Sequence, residues 1–154
     1  MRDTRHTYRG VVIVIAAFTL FGAACNKTDT DQAKAKAVVK EFLNDAADGR
    51  GTQACAALTG DAVRFVSVVG AVAQSDASCP DAVKTLSGQF SADEKKALKS
   101  ATIKGVSVSG AQATIARNDI ELKYQGESHL FPRPSNSPVV LVKTDAGWKI
   151  QSLG

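Results

Sequence analysis

The chain has 154 residues, 44% of them hydrophobic and 22% charged, with 19 Lys+Arg against 15 Asp+Glu. That balance suits one globular domain and excludes collagen, a coiled coil or a disordered chain. Three of the basic residues (Arg2, Arg5, Arg9) and one acidic residue (Asp3) lie in the first 24 positions, so the net charge falls from +4 to +2 without them. So small an excess, with no basic stripe, argues against nucleic acid as a partner.

Arg2, Arg5 and Arg9 precede an apolar run from Gly10 to Ala24, and Cys25 follows it. A basic flank, an apolar run of about 15 residues and small residues at its end are the parts of a secretory signal. The run is shorter than the roughly 20 residues that span a bilayer core as a helix. Residues 1–24 therefore read as a cleaved signal and the polar stretch 25–32 as a flexible tether, ahead of one domain over 33–154. Gly22-Ala23-Ala24-Cys25 resembles the lipobox of bacterial lipoproteins, except that Gly22 stands where an aliphatic residue is usual. The resemblance implies a diacylglycerol on the Cys25 thiol, cleavage before it, and a place on the outer face of the cell membrane. Ordinary secretion after Ala24 and an uncleaved anchor helix are the alternatives.

Three cysteines are an odd number for an exported chain. With lipid on Cys25, Cys55 and Cys79 are left to pair in an oxidising compartment. Closing a loop of about 25 residues is worth about 3 kcal/mol in the chain-entropy treatment. No metal or other cofactor is expected, because His129 is the only histidine after His6 and no Cys-x-x-Cys occurs.

From Ala33 the pattern is helical. Ala35, Val38, Val39, Phe42, Leu43 and Ala46 fall on one face, with Lys36, Lys40, Glu41 and Asn44 on the other. Gly49 suits a left-handed helix end. Thr52 is a cap for a short second helix through Cys55 and Leu58, stopped at Thr59-Gly60. The segment 61–74 is rich in valine, which favours a strand, but Asp61 as a cap and apolar residues on nearly every side favour a buried helix. Helix is the expectation there. Ser78-Cys79-Pro80 opens another helix, proline being favoured in the first turn. Ser91-Ala92-Asp93-Glu94 is a capping box for a short one.

After Ser100 the period becomes two. Val106 and Val108, then Ala113 to Ile115, read as strands joined at Gly110. Ile120, Leu122 and Tyr124 alternate with Glu121, Lys123 and Gln125 as a half-buried strand. The proline-rich stretch from Phe131 to Pro138 is loop. Val139 to Val142 and a final strand with Trp148 and Ile150 complete the chain. The fold class is α+β, with N-terminal helices packed on a curved antiparallel sheet of four or five strands.

A long amphipathic helix first and a tryptophan-bearing strand last resemble the nuclear-transport-factor-2-like fold, and more narrowly exported actinobacterial lipoproteins of that fold. The residues that carry this are Val38 to Leu43, Ala54 to Thr59, Cys79 to Val83 and Gly147 to Ile150. The resemblance implies a cone-shaped domain with an internal pocket. Val39, Phe42, Leu122, Tyr124 and Trp148 are expected to line it from opposite sides, forming an apolar wall with one hydroxyl for a small apolar ligand.

Enzymes of that fold, such as ketosteroid isomerase, place an acid or base and a phenol in the cone. Asp119, Glu121, Glu127, His129 and Tyr124 are the residues available, but Asp119 and Glu121 alternate outward and His129 sits beside the proline-rich loop. No serine-nucleophile, Walker or dinucleotide motif occurs. Lys95, Lys96 and Lys99 make a solvated helix face. The expectation is a lipid-anchored, non-enzymatic domain that binds a ligand or an envelope protein, with no catalytic residues. An isomerase-like enzyme and a structural module of an envelope complex are the alternatives.

Overall fold

The structure, a computed structural model, describes residues 23–70, 77–126, 128–131 and 136–154. The expected signal up to residue 22, with the alternative anchor helix, the end of the 61–74 helix, Glu127 and Pro132 and Pro134 lie outside them. Helices come first: α1 (Ala23–Asp48), α2 (Gly51–Ala56), α3 (Asp61–Gly70), α4 (Cys79–Gln89) and α5 (Ala92–Lys99). Strands follow: β1 (Thr102–Ile103), β2 (Ser107–Ser109), β3 (Gln112–Ile115), β4 (Ile120–Glu121), β5 (Val139–Thr144) and β6 (Gly147–Ser152), with a 3-10 turn over Arg117–Asp119. The fold is α+β, as expected.

The apolar face of α1 does what its spacing predicts. Ala35, Val39, Phe42, Leu43 and Ala46 are buried, Phe42 and Leu43 completely. Truncating a side chain such as Phe42 costs about 3–5 kcal/mol, through lost transfer energy and the cavity left behind. The expected tether over 25–32 is corrected: α1 is continuous from Ala23. The reason is a long-range contact. Asp31 is only 8% exposed, and its carboxylate accepts from Lys143 Nζ at 2.9 and 3.0 Å and from Trp148 Nε1 at 3.4 Å.

Gly49 ends α1 at φ +68°, the left-handed conformation expected of it. The next helix starts one residue before the expected Thr52 cap. Arg50 precedes α2, and its guanidinium is drawn back to Asp45 at 2.7 Å and Asp48 at 2.6 Å. Gly51 lets α2 touch α4, since a Cβ there would lie 2.1 Å from the Pro80 carbonyl oxygen. The predicted Cys55–Cys79 disulfide closes this contact, with a Cα–Cα distance of 6.1 Å. The valine-rich segment is helical, and its face decides why: Ala62, Val66 and Gly70 are buried at a spacing of four, while Val68 is 65% exposed.

Strands β2, β3, β5 and β6 form an antiparallel sheet in that order. Ala113, Ile115, Val139, Leu141, Trp148 and Ile150 point into the core shared with the helices. The outer side of β6 is not free. Ile150 donates its N–H to the Ala57 carbonyl and accepts from Thr59 N–H, both at 2.8 Å, so the chain leaving α2 pairs with this strand. The expected strand from Ile120 to Tyr124 is corrected to two residues, which pair with β1 in a separate ribbon: Thr102 with Glu121 and Ile103 with Ile120. With only this short partner, Leu122 and Tyr124 have no ladder to join.

Candidate functional site

The region between the end of β3 and the start of β5 encloses a cleft of about 810 Å³. Ile115 ends β3, and the chain then makes the 3-10 turn, pairs at β4, and returns through Tyr124 and Ser128 to Phe131 before β5. Ile120, Leu122 and Phe131 supply apolar lining, and Lys104, Asn118, Glu121, Tyr124, Ser128 and Asn136 supply polar groups. Lys104 and Glu121 face each other across the β1–β4 ribbon at 3.3 Å. The Arg117 guanidinium lies 4.6 Å from the centre of the Phe131 ring and donates to the Ile120 carbonyl at 3.3 Å. A cation over a ring with a carbonyl to bond is a fixed arrangement. Lys36 of α1 donates to the Lys104 carbonyl at 2.8 Å, tying the rim to the long helix.

Among the described residues one buried side-chain polar atom is unsatisfied. Ser128 is 5% exposed, and its buried hydroxyl has no hydrogen-bond partner among them. A hydroxyl buried without a partner costs about 1–3 kcal/mol, which a ligand group could return. The segment carrying it is held from below. Glu94, 1% exposed, accepts from the His129 backbone N–H at 2.8 Å and lies 2.9 Å from His129 Nδ1. Glu94 N–H is capped by Ser91 Oγ at 3.1 Å, as the capping box predicts. The reciprocal half of that box is absent, because the Glu94 carboxylate is spent on His129, 35 residues away. His129 keeps 43% of its side chain exposed and lies against Phe90, ring centres 5.9 Å apart.

The five residues expected to share a pocket do not come together. Val39 and Phe42 are entirely inside the core. Leu122 and Tyr124 line the cleft. Tyr124 has its phenol against Gly126 and its hydroxyl 3.4 Å from Ser91 Oγ. Trp148 borders a separate groove of about 500 Å³ between α1, α2 and the β5–β6 hairpin, with Val38, not Val39, beside it. The apolar wall is replaced by a cleft of mixed polarity. The reason is the corrected β4, which carries Leu122 and Tyr124 off the main sheet.

At the opposite end of β5, Asp31, Lys143 and Trp148 make a closed cluster, with Lys143 Nζ also 5.7 Å from the indole centre. The hydrogen bond from Lys143, ahead of the opposing cost of desolvation, holds the Asp31 carboxyl below the usual carboxylate range. Among the described residues no group of three or more His, Cys, Asp or Glu is arranged to hold a metal ion. Sequence reasoning missed Glu94, Ser128 and Asp31 as site residues. Ser91-x-x-Glu94 was a visible signal, but it pointed to a local cap. No family model, no curated protein and no solved structure matches the chain.

Proposed function

We propose that this is a bacterial envelope protein anchored by lipid to the outer face of the cell membrane, non-enzymatic, which binds a small polar ligand in the cleft between β4 and Phe131. One observation carries the reading. The Cys55–Cys79 disulfide uses two of the three cysteines and leaves Cys25, which follows a basic flank, an apolar run and two alanines. The ligand half of the reading rests on the unsatisfied Ser128 hydroxyl and on the amides and ion pair around it, which suit a polar ligand better than a greasy one. The nuclear-transport-factor-2-like arrangement belongs to the same reading, supported by a long first helix and a tryptophan-bearing last strand on one sheet.

Intact mass of protein purified from membranes tests the anchor. The expected product lacks residues 1–24, carries a diacylglycerol and retains the disulfide. Cys25→Ala should release the protein from membranes or leave the precursor uncleaved. A variant that matures and fractionates as wild type rejects the anchor. An experimental structure with no sheet wrapped on the first helix rejects the fold assignment.

The enzyme reading is favoured by one observation, the Glu94–His129 pair, an acid and a base at 2.9 Å. Paired ionisable groups of this kind serve proton transfer when a substrate reaches them. Isomerisation of a β,γ-unsaturated ketone that is lost in a folded Glu94→Gln variant would establish it; the binding reading expects no turnover in either protein.

A further inference from the structure

We infer that the domain stands on the bilayer in one orientation, with the β2–β3 and β5–β6 turns against the lipid headgroups and the cleft facing away. The inference rests on the lipid anchor proposed at Cys25, and adds to it the surface that meets the membrane. A flexible tether of the same length would let the domain turn freely. The helix does not. α1 has no break between residue 25 and Asp31, so at about 1.5 Å per residue these positions lie about 9 Å apart along its axis. The headgroup layer of one leaflet is about 5–8 Å thick. A lipid joined at residue 25 therefore leaves Asp31 just outside that layer.

Asp31 is where the helix is fastened to the sheet, through Lys143 and Trp148. Asp29 and Thr30, just before it, are exposed. Both turns lie at this end. Lys143 N–H donates to the Ala111 carbonyl at 2.8 Å, and Thr144 pairs with Gly147 across the hairpin. The cleft lies at the other end of the same strands, where Ala116 follows β3 and Asn136 precedes β5. Val139 to Lys143 is four strand steps, about 13 Å. Lys27, Lys34 and Lys143 on the membrane side are balanced by Asp29, Asp31 and Asp145. The lipid and the rigid helix hold this face down, and headgroup charge does not.

Trp148 is the only tryptophan, so it reports this end alone. The full chain, lipidated and purified from membranes, is reconstituted in phosphatidylcholine vesicles carrying a small fraction of dansyl-phosphatidylethanolamine. Energy transfer from Trp148 should be several-fold stronger than from a tryptophan at the cleft, in the double variant Trp148→Phe, Asn118→Trp. Quenching of wild-type Trp148 by a headgroup spin label, absent for unlipidated Cys25→Ala, gives the same information without touching the clamp. Adding phosphatidylglycerol should change neither result. Inserting about 12 Gly/Ser residues between Thr28 and Asp29, a flexible spacer, should make the two transfers equal. A mass without diacylglycerol overturns the anchor and the orientation together. Lipidated protein with equal transfer from both positions, or with transfer that depends on phosphatidylglycerol, overturns the orientation alone.

Discussion

The two ends of β5 are built in opposite ways. At Lys143 every polar group is engaged: carboxylate, ammonium and indole N–H satisfy one another, and the long helix is locked to the sheet. At Val139 the neighbouring cleft holds a buried hydroxyl with no partner among the described residues, on a segment held by the Glu94 carboxylate 35 residues away. A closed polar cluster gives rigidity, because each member raises the cost of moving the others. An incomplete one is where a ligand finds something to do. The difference separates a locked junction of helix and sheet from an incompletely satisfied cleft within one small domain.

The largest change should come from opening the α2–α4 crosslink, which lies at neither end. Reduction of Cys55–Cys79, or the double alanine variant, should lower unfolding free energy by about 2–4 kcal/mol in chemical denaturation, with Trp148 emission in the native state unaltered. Next in size is Glu94→Ala, which strips the acceptor from His129 N–H and Nδ1. It should cost about 2 kcal/mol and loosen the Ser128–Phe131 segment, seen as faster amide exchange there and not at Trp148.

At the other end the test is acid. Because the Asp31 carboxyl is held below its ordinary value, the clamp contributes in full above the unfolded aspartate value of about 3.9 and is lost as pH falls from there through the lowered folded value. Trp148 emission should shift in that acid window and hold steady between pH 5 and 8 on the scale of carboxylate titration. Asp31→Asn should abolish the transition. The smallest effect, and the sharpest contrast, belongs to Ser128→Ala. Removing an unpartnered buried hydroxyl should leave stability unchanged or raise it by up to about 1 kcal/mol, while weakening whatever binds the cleft. A clear loss of stability would mean that the hydroxyl already has a partner.

What could be read from the sequence follows the range of the forces involved. α1, α4 and α5 announce themselves because spacing and caps act within a few residues: Ser91 caps Glu94 N–H and Pro80 opens α4 as expected. The disulfide was legible by counting. The strand ending at Tyr124 was not, because alternation describes faces and says nothing about whether a neighbouring strand exists to pair with. Asp31 looked like tether for a similar reason, since its partners Lys143 and Trp148 come more than 110 residues later. The cleft was invisible because Glu94 satisfied a local pattern with its backbone and a distant one with its side chain.

The chain leaving α2 has a further effect at the sheet's margin. A strand with an unpaired flank invites another chain to extend the sheet, and small exported domains with such flanks are prone to associate. Here Ala57 and Thr59 already occupy the outer hydrogen-bonding groups of Ile150. The opposite margin is β2, three residues long and carrying Ser107 and Ser109. So short and hydroxylated a flank is a poor template for a second copy. At high local density, a second copy would find little backbone to grip on either margin of this sheet.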